Sequence, residues 1–150
     1  MNKEQKNKLF LFLSTALSVI FLDQLTKYIV HTNLSIGQSF YVIKNIFHLT
    51  YISNTGAGFG IFKDSVFLLS FISVIAIGAI IYYYPQLKNR FLQSGAALML
   101  GGTIGNLIDR IFRGYVIDFL DFRIWPLFNI ADTAITIGTF ILIIYFIKER

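Results

Sequence analysis

Residues 101–138 read GGTIGNLIDRIFRGYVIDFLDFRIWPLFNIADTAITIG. Two apolar runs rich in small residues flank a loop, and the stretch carries four of the chain's eight acidic residues: Asp109, Asp118, Asp121 and Asp132. Asn106, Asn129 and Arg110 stand among them. Ionisable groups at or near membrane depth are expensive and usually functional. The chemistry of the protein is therefore expected here.

The surrounding chain is hydrocarbon-like. Of 150 residues, 55% are hydrophobic and 17% aromatic, and only 14% are charged, against the ~25% usual for soluble domains. Mean hydropathy is +0.66. A mainly α, single-domain integral membrane protein follows, residues 1–150 forming one unit. The net charge of +5 does not indicate nucleic acid, because Lys and Arg flank the apolar runs and form no basic stripe interleaved with aromatics. The absence of cysteine excludes disulfides, thiolate nucleophiles and cysteine metal sites.

Outward from the opening stretch, four membrane spans are expected at about residues 9–30, 65–84, 91–112 and 130–147. The first follows a short basic tail with Lys3, Lys6 and Lys8; it is too long for a signal-peptide core and no A-x-A-like site follows it. Asp23 and Lys27 interrupt it at i,i+4, on one face near its far end. An outer β-region is expected at about 39–62: residues 40–43 and 47–52 are β-branched and aromatic, with Lys44-Asn45 as the turn between them. The hairpin leads into the glycine-rich segment 53–60. Tyr82–Tyr84 and Trp125-Pro126 read as interfacial anchors, and Pro85 ends the second span. No internal repeat or low-complexity segment is visible.

The N-terminal tail, the 85–90 loop and the C-terminal tail hold seven Lys and Arg residues, while the other two loops hold four over a greater length. The positive-inside rule places both termini in the cytoplasm. Asp23, Lys27, Asn54, Asn106, Asp109, Arg110, Asp118, Asn129 and Asp132 then converge on the outer side from four separated segments.

Two carboxylates within a few ångströms share one proton, giving a base and an acid near neutral pH. Such a pair can activate water against an amide without serine, cysteine or metal. Asp118 and Asp132 are candidates. Asp132 also falls at N3 of a helix capped by Asn129, where an acid simply complements the helix terminus. Asp118 could equally be a solvated loop carboxylate, and Asp121 competes with it: in an extended segment the two point to opposite sides, and periodicity does not choose between them. Asn106, Asp109 and Arg110 share a helical face, where Asp109 is expected to pair with Arg110 or with a neighbouring helix. Gly101 and Gly105 form a GxxxG that signals close helix packing. Lys27 is expected to pair with Asp23 and snorkel. His31 and His48 lack a metal-ligand spacing, and no serine sits in a G-x-S-x-G. Two other classes fit the acids less well: a small proton-coupled transporter, whose site would lie nearer the midplane, and a non-catalytic assembly factor.

Five motifs in order, Asp23-x-x-x-Lys27, Asn54-Thr-Gly-Ala-Gly-Phe, Gly105-Asn106-Leu-Ile-Asp109-Arg110, Val116-Ile-Asp118-Phe-Leu-Asp-Phe and Phe128-Asn129-Ile-Ala131-Asp132, span nearly the whole chain. In these the sequence resembles the lipoprotein signal peptidases, or signal peptidase II. The resemblance implies a four-helix membrane aspartyl endopeptidase with an extracytoplasmic β-cradle and a short interfacial helix near residues 56–62. It makes Asp118 and Asp132 the catalytic pair, with Asp23, Lys27, Asn54, Asn106, Asp109, Arg110 and Asn129 in support. It implies cleavage of prolipoproteins before a diacylglyceryl-modified cysteine, at the outer face of the bacterial cytoplasmic membrane. Membrane lipids are then the other partners, a monomer is expected, and neither cofactor nor metal nor nucleic acid takes part. One position departs: the family usually has two alanines after the loop glycine, and Gly58 stands in the second place. The GxGD signature of presenilin-like proteases is absent.

Overall fold

A computed structural model describes residues 2–56 and 62–149. In chain order the elements are α1 (Lys3–Asn33), β1 (Ser39–Ile43), β2 (Phe47–Asn54), α2 (Val66–Tyr83), α3 (Arg90–Arg113), β3 (Val116–Asp121) and α4 (Ile130–Lys148). Among the described residues, four helices are long and apolar enough to cross a membrane, and three strands form one antiparallel sheet in the order β1-β2-β3.

α1 starts well before the expected residue 9. Asn2 and Gln5 form a reciprocal capping box, and Lys8 pairs with Glu4 one turn away at 2.7 Å. Its 31 residues span about 46 Å at 1.5 Å each, more than the ~30 Å hydrocarbon core, so the basic first turns extend beyond it. A turn of 3₁₀ helix at Tyr84–Gln86, with Pro85 in it, follows α2.

α3 is the central post and packs against α1, α2 and α4. Its small residues permit this. A Cβ at Gly101 would stand 2.7 Å from the carbonyl oxygen of Ala16 on α1, and one at Gly102 would stand 2.4 Å from that of Ala131 on α4. The GxxxG expectation therefore covers the α1 seam, while Gly102 makes the tightest approach to α4. Phe12, Ala16, Ala96, Ala97 and Leu100 form the buried centre of the bundle.

The 40–43 and 47–52 hairpin lies within β1 and β2, and Asn45 takes the left-handed conformation at its turn (φ 62°). A third strand joins it from the segment read as a loop: Asn54 pairs with Val116, Ile52 with Asp118 and His48 with Asp121. Gly114, at φ 76°, ends α3 in the left-handed region and turns the chain directly into β3. Val30, Tyr51, Ile117 and Phe119 seal the sheet onto the end of α1. The interfacial helix expected near residues 56–62 falls mostly on 57–61, outside the described residues, as does Gly58.

Candidate active site

β3, α4 and the end of α3 enclose a cavity of about 670 Å³. Asn54, Asn106, Arg110, Asp118 and Asp132 make its polar floor, and Ile124, Trp125, Pro126 and Leu127 its apolar wall. Trp125, read from sequence as an interfacial anchor, is thus also part of the cavity.

The two aspartates arrive by different routes. Asp118 sits in the middle of β3, 1% exposed. Asp132 is the N3 residue of α4, whose start is set by a capping box in which the Asn129 side chain accepts from the Asp132 N–H at 2.9 Å. Asn129 also joins the two acids. Its Nδ2 donates to Asp118 Oδ1 at 2.7 Å, and its backbone N–H to Asp132 Oδ2 at 3.3 Å. The helix-capping role read for Asp132 and its place in the cavity are therefore compatible. Asn54 Nδ2 donates to Asp118 Oδ2 and Asn106 Nδ2 to Asp132 Oδ1, each at 2.8 Å.

Burial pushes the Asp118 carboxyl up to about 7, and the negative charge of Asp132 adds to the effect. The Asn54 and Asn129 amides oppose it. Asp121 lies elsewhere. It accepts from Thr50 Oγ1 at 2.8 Å and from the Arg123 guanidinium at 2.9 Å, and lines no part of the cavity. Burial pushes Asp121 up, but the Thr50 and Arg123 donors outweigh it and hold the carboxyl below its ordinary value.

Lys27 does not snorkel. It is 0% exposed, as is Asp23, and its Nζ lies 2.8 Å from Asp23 Oδ2, 3.0 Å from Asp109 Oδ2 and 2.9 Å from Asn106 Oδ1. Three acceptors inside the protein replace the water that snorkelling would seek. Of the two partners expected for Asp109, the structure selects the neighbouring helix. The Asp109 carboxylate meets Lys27 of α1, Arg113 at 2.6 Å and the Ile117 N–H at 3.1 Å, while Arg110 turns to the cavity and the Gly56 carbonyl. Asp23 Oδ1 accepts the Ala131 N–H at 2.9 Å, tying α1 to the first turn of α4.

Sequence reading missed Gln24, which donates to Asp23, to the Gly105 carbonyl and to Asp109 at 3.0–3.3 Å. Its only signal was an amide beside Asp23 in an otherwise apolar run. It also missed the His31–Tyr51–Tyr115 chain, linked at 2.9 and 3.2 Å beneath the sheet.

The family model described as signal peptidase (SPase) II matches residues 15–148, almost the entire chain. The chain belongs to the signal peptidase II family. A lipoprotein signal peptidase of Halothermothrix orenii is 46% identical over 135 residues, covering 89% of this chain and 93% of that one. Another, of Moorella thermoacetica, is 49% identical over 133 residues, covering 87% and 89%. A solved bacterial membrane enzyme superposes with a TM-score of 0.88 at 36% identity, covering 92% of this chain and 88% of its own. A second gives 0.85 at 36% identity, with 93% and 94% covered. As a signal peptidase II member the chain is a multi-pass membrane hydrolase of lipoprotein processing, and its four apolar helices with the small sheet follow the same architecture.

Proposed function

We propose that the whole chain is one integral membrane peptidase domain that removes signal peptides from prolipoproteins, cutting before a diacylglyceryl-modified cysteine by water activation on Asp118 and Asp132. The observation that carries this is the pair of hydrogen bonds from Asn129: one residue donates to a carboxyl oxygen of each aspartate at the floor of a single cavity. Two acids buried in one cavity and joined by Asn129 divide one proton, and the value near 7 for Asp118 suits proton exchange at neutral pH.

The ionised carboxylate takes a proton from water as the water oxygen attacks the scissile carbonyl. The protonated partner hydrogen-bonds the carbonyl oxygen, and a proton then passes to the leaving nitrogen. Asn106 and Asn129 hold the pair, and Arg110 brings positive charge to the cavity. The apolar wall of Ile124, Trp125, Pro126 and Leu127 suits a lipid-bearing substrate. At ~0.8 kcal/mol per buried methylene, the two acyl chains anchor the modified cysteine in the leaflet, so the membrane does much of the positioning. The positive-inside pattern puts both termini in the cytoplasm and this cavity at the outer face. The protein works as a monomer.

The test uses a synthetic signal peptide with a diacylglyceryl cysteine. Asp118→Asn and Asp132→Asn are expected to insert, accumulate and cut nothing; sustained turnover by either removes that residue from the pair. The unacylated peptide is expected to be cut far more slowly. EDTA is expected to leave the native rate unchanged, since no step uses a metal.

A further inference from the structure

Lys27 is entirely enclosed, and an ammonium has three donors and no acceptor. All three are committed, to Asp23, Asp109 and Asn106 Oδ1. Because an ammonium cannot accept, only the carbonyl end of the Asn106 amide can face it. The NH₂ end is thereby turned to Asp132, where it donates to Oδ1. Asn129 is oriented in the same way. Its Oδ1 accepts from the Asp132 N–H, so its Nδ2 is left to donate to Asn106 Oδ1 at 3.1 Å and to Asp118 Oδ1. Asn54 Oδ1 accepts from the Gly56 N–H at 2.9 Å, which leaves its Nδ2 for Asp118 Oδ2.

Each carboxyl oxygen of the pair is met by an N–H: Asp118 by the Asn129 and Asn54 amides, Asp132 Oδ1 by the Asn106 amide and Oδ2 by the Asn129 backbone at 3.3 Å. N–H donors favour the ionised form of the carboxyl they touch.

We propose that Lys27 is a positioning residue for the peptidase reaction: by fixing the Asn106 amide it commits Asp132 Oδ1 as an acceptor and so holds the Asp132 carboxyl in place for its work with Asp118. This rests on the reading of the pair given above. In the forward step, the ionised member of the pair takes a proton from water while the water oxygen bonds to the carbonyl carbon and the protonated member gives its proton to the carbonyl oxygen. The gem-diol then returns one hydroxyl proton to that second acid, the C–N bond breaks, and the proton taken from water passes to the leaving nitrogen. One water is consumed, and both acids recover their starting states.

The experiment is a double-mutant cycle of Lys27→Met and Asn106→Ala, read as kcat and KM on the diacylglyceryl-cysteine peptide in detergent micelles. If Lys27 acts through Asn106, each single variant lowers kcat by about 10²-fold with KM unchanged, the loss associated with ~1 Å misplacement of a reacting group. The double variant is then no slower than the slower single, as for residues that act as a unit. Losses that multiply, or that fall on KM, overturn the proposal. Asp118→Asn and Asp132→Asn run in the same assay: turnover there sinks the pair itself, whereas two dead variants beside a multiplying cycle sink only the role of Lys27. Lys27→Met strips Asp23 of its counter-ion, leaves Asp109 with Arg113 alone, and can fail to accumulate. The native chain then decides the matter. With ¹⁵N-asparagine and ¹³C-aspartate, solid-state NMR is expected to place the Asn106 side-chain nitrogen beside the Asp132 carboxyl carbon. A nitrogen facing Lys27 overturns the proposal.

Discussion

Replacing Gly102 by alanine is expected to cripple turnover without altering any group that touches substrate. The added Cβ would lie 2.4 Å from the Ala131 carbonyl oxygen and 2.8 Å from Ile135 Cγ1, whereas ordinary contact begins at 3.4 Å. The nearest atom belongs to backbone, so no rotamer change relieves it, and the first turn of α4 must retreat by about 1 Å. That turn carries Asp132 and follows directly on Asn129, which bridges the two acids. A displacement of that size at a reacting centre costs on the order of 10²-fold in rate. Overpacking removes a further 1–3 kcal/mol of stability, roughly. The assay is kcat on the lipidated peptide, measured well below the Tm of the purified variant, with Tm read separately. Gly78→Ala is the control, because a Cβ there has nothing within 4 Å, and its turnover is expected to match the native chain. Adding Ile135→Ala to Gly102→Ala removes Cγ1 but leaves the backbone clash, so the rate is not expected to recover. A native kcat in Gly102→Ala, or full rescue by Ile135→Ala, would refute the claim that the α3–α4 spacing sets the pair.

Three further outcomes follow from the same geometry. Asp118 has its carboxyl held up at about 7 against an ordinary 3.8, in part by the charge of Asp132, so the pair gives up its shared proton there and kcat/KM is expected to fall as pH rises through that region. Stability runs the same way. The fold favours the protonated form, so this contribution is fully present below 3.8 and lost as pH rises through about 7; Tm should decline across that window in the native chain and less so in Asp118→Asn. Asp109→Ala leaves Lys27 and Arg113 short of a buried partner and is expected to cost about 3–5 kcal/mol of stability in denaturant titrations, while Glu4→Ala, whose pair with Lys8 lies at the surface, leaves the midpoint unchanged. The chain has no cysteine, so single introduced ones report topology: in intact cells Ser35→Cys should react with a membrane-impermeant maleimide and Lys88→Cys should not, the reverse pattern inverting the proposed orientation.

How much of this was legible in the sequence depends on how local each feature is. The spans declare themselves through unbroken apolar runs, and the hairpin through residue types that favour a pleated, half-buried surface. β3 does not, because Val116–Asp121 carries two acids in six residues and becomes a strand only by pairing with β2, more than sixty residues earlier in the chain. Asp118 and Asp121 illustrate the limit of periodicity. Alternation says that they part company, but only Asn54 and Asn129 on one side, and Thr50 and Arg123 on the other, say which one enters the cavity. Lys27 was misread for a related reason. Snorkelling is the low-energy course for a lone lysine in a helix, but not where a carboxylate and an amide from another helix complete its shell.

The glycines of α3 make the same point about packing. A GxxxG identifies one seam, yet α3 has a different neighbour on each side: Gly101 admits α1, Gly102 admits α4, and Gly105 lies against both Asp23 and Ala131. Only with both neighbours at that range can Lys27 reach Asn106 while Asn106 reaches Asp132. The absence of side chains at positions 101, 102 and 105 therefore sets the length of the polar line that ends at the carboxyl pair. Adding carbon to that seam should disturb the chemistry before it disturbs the fold.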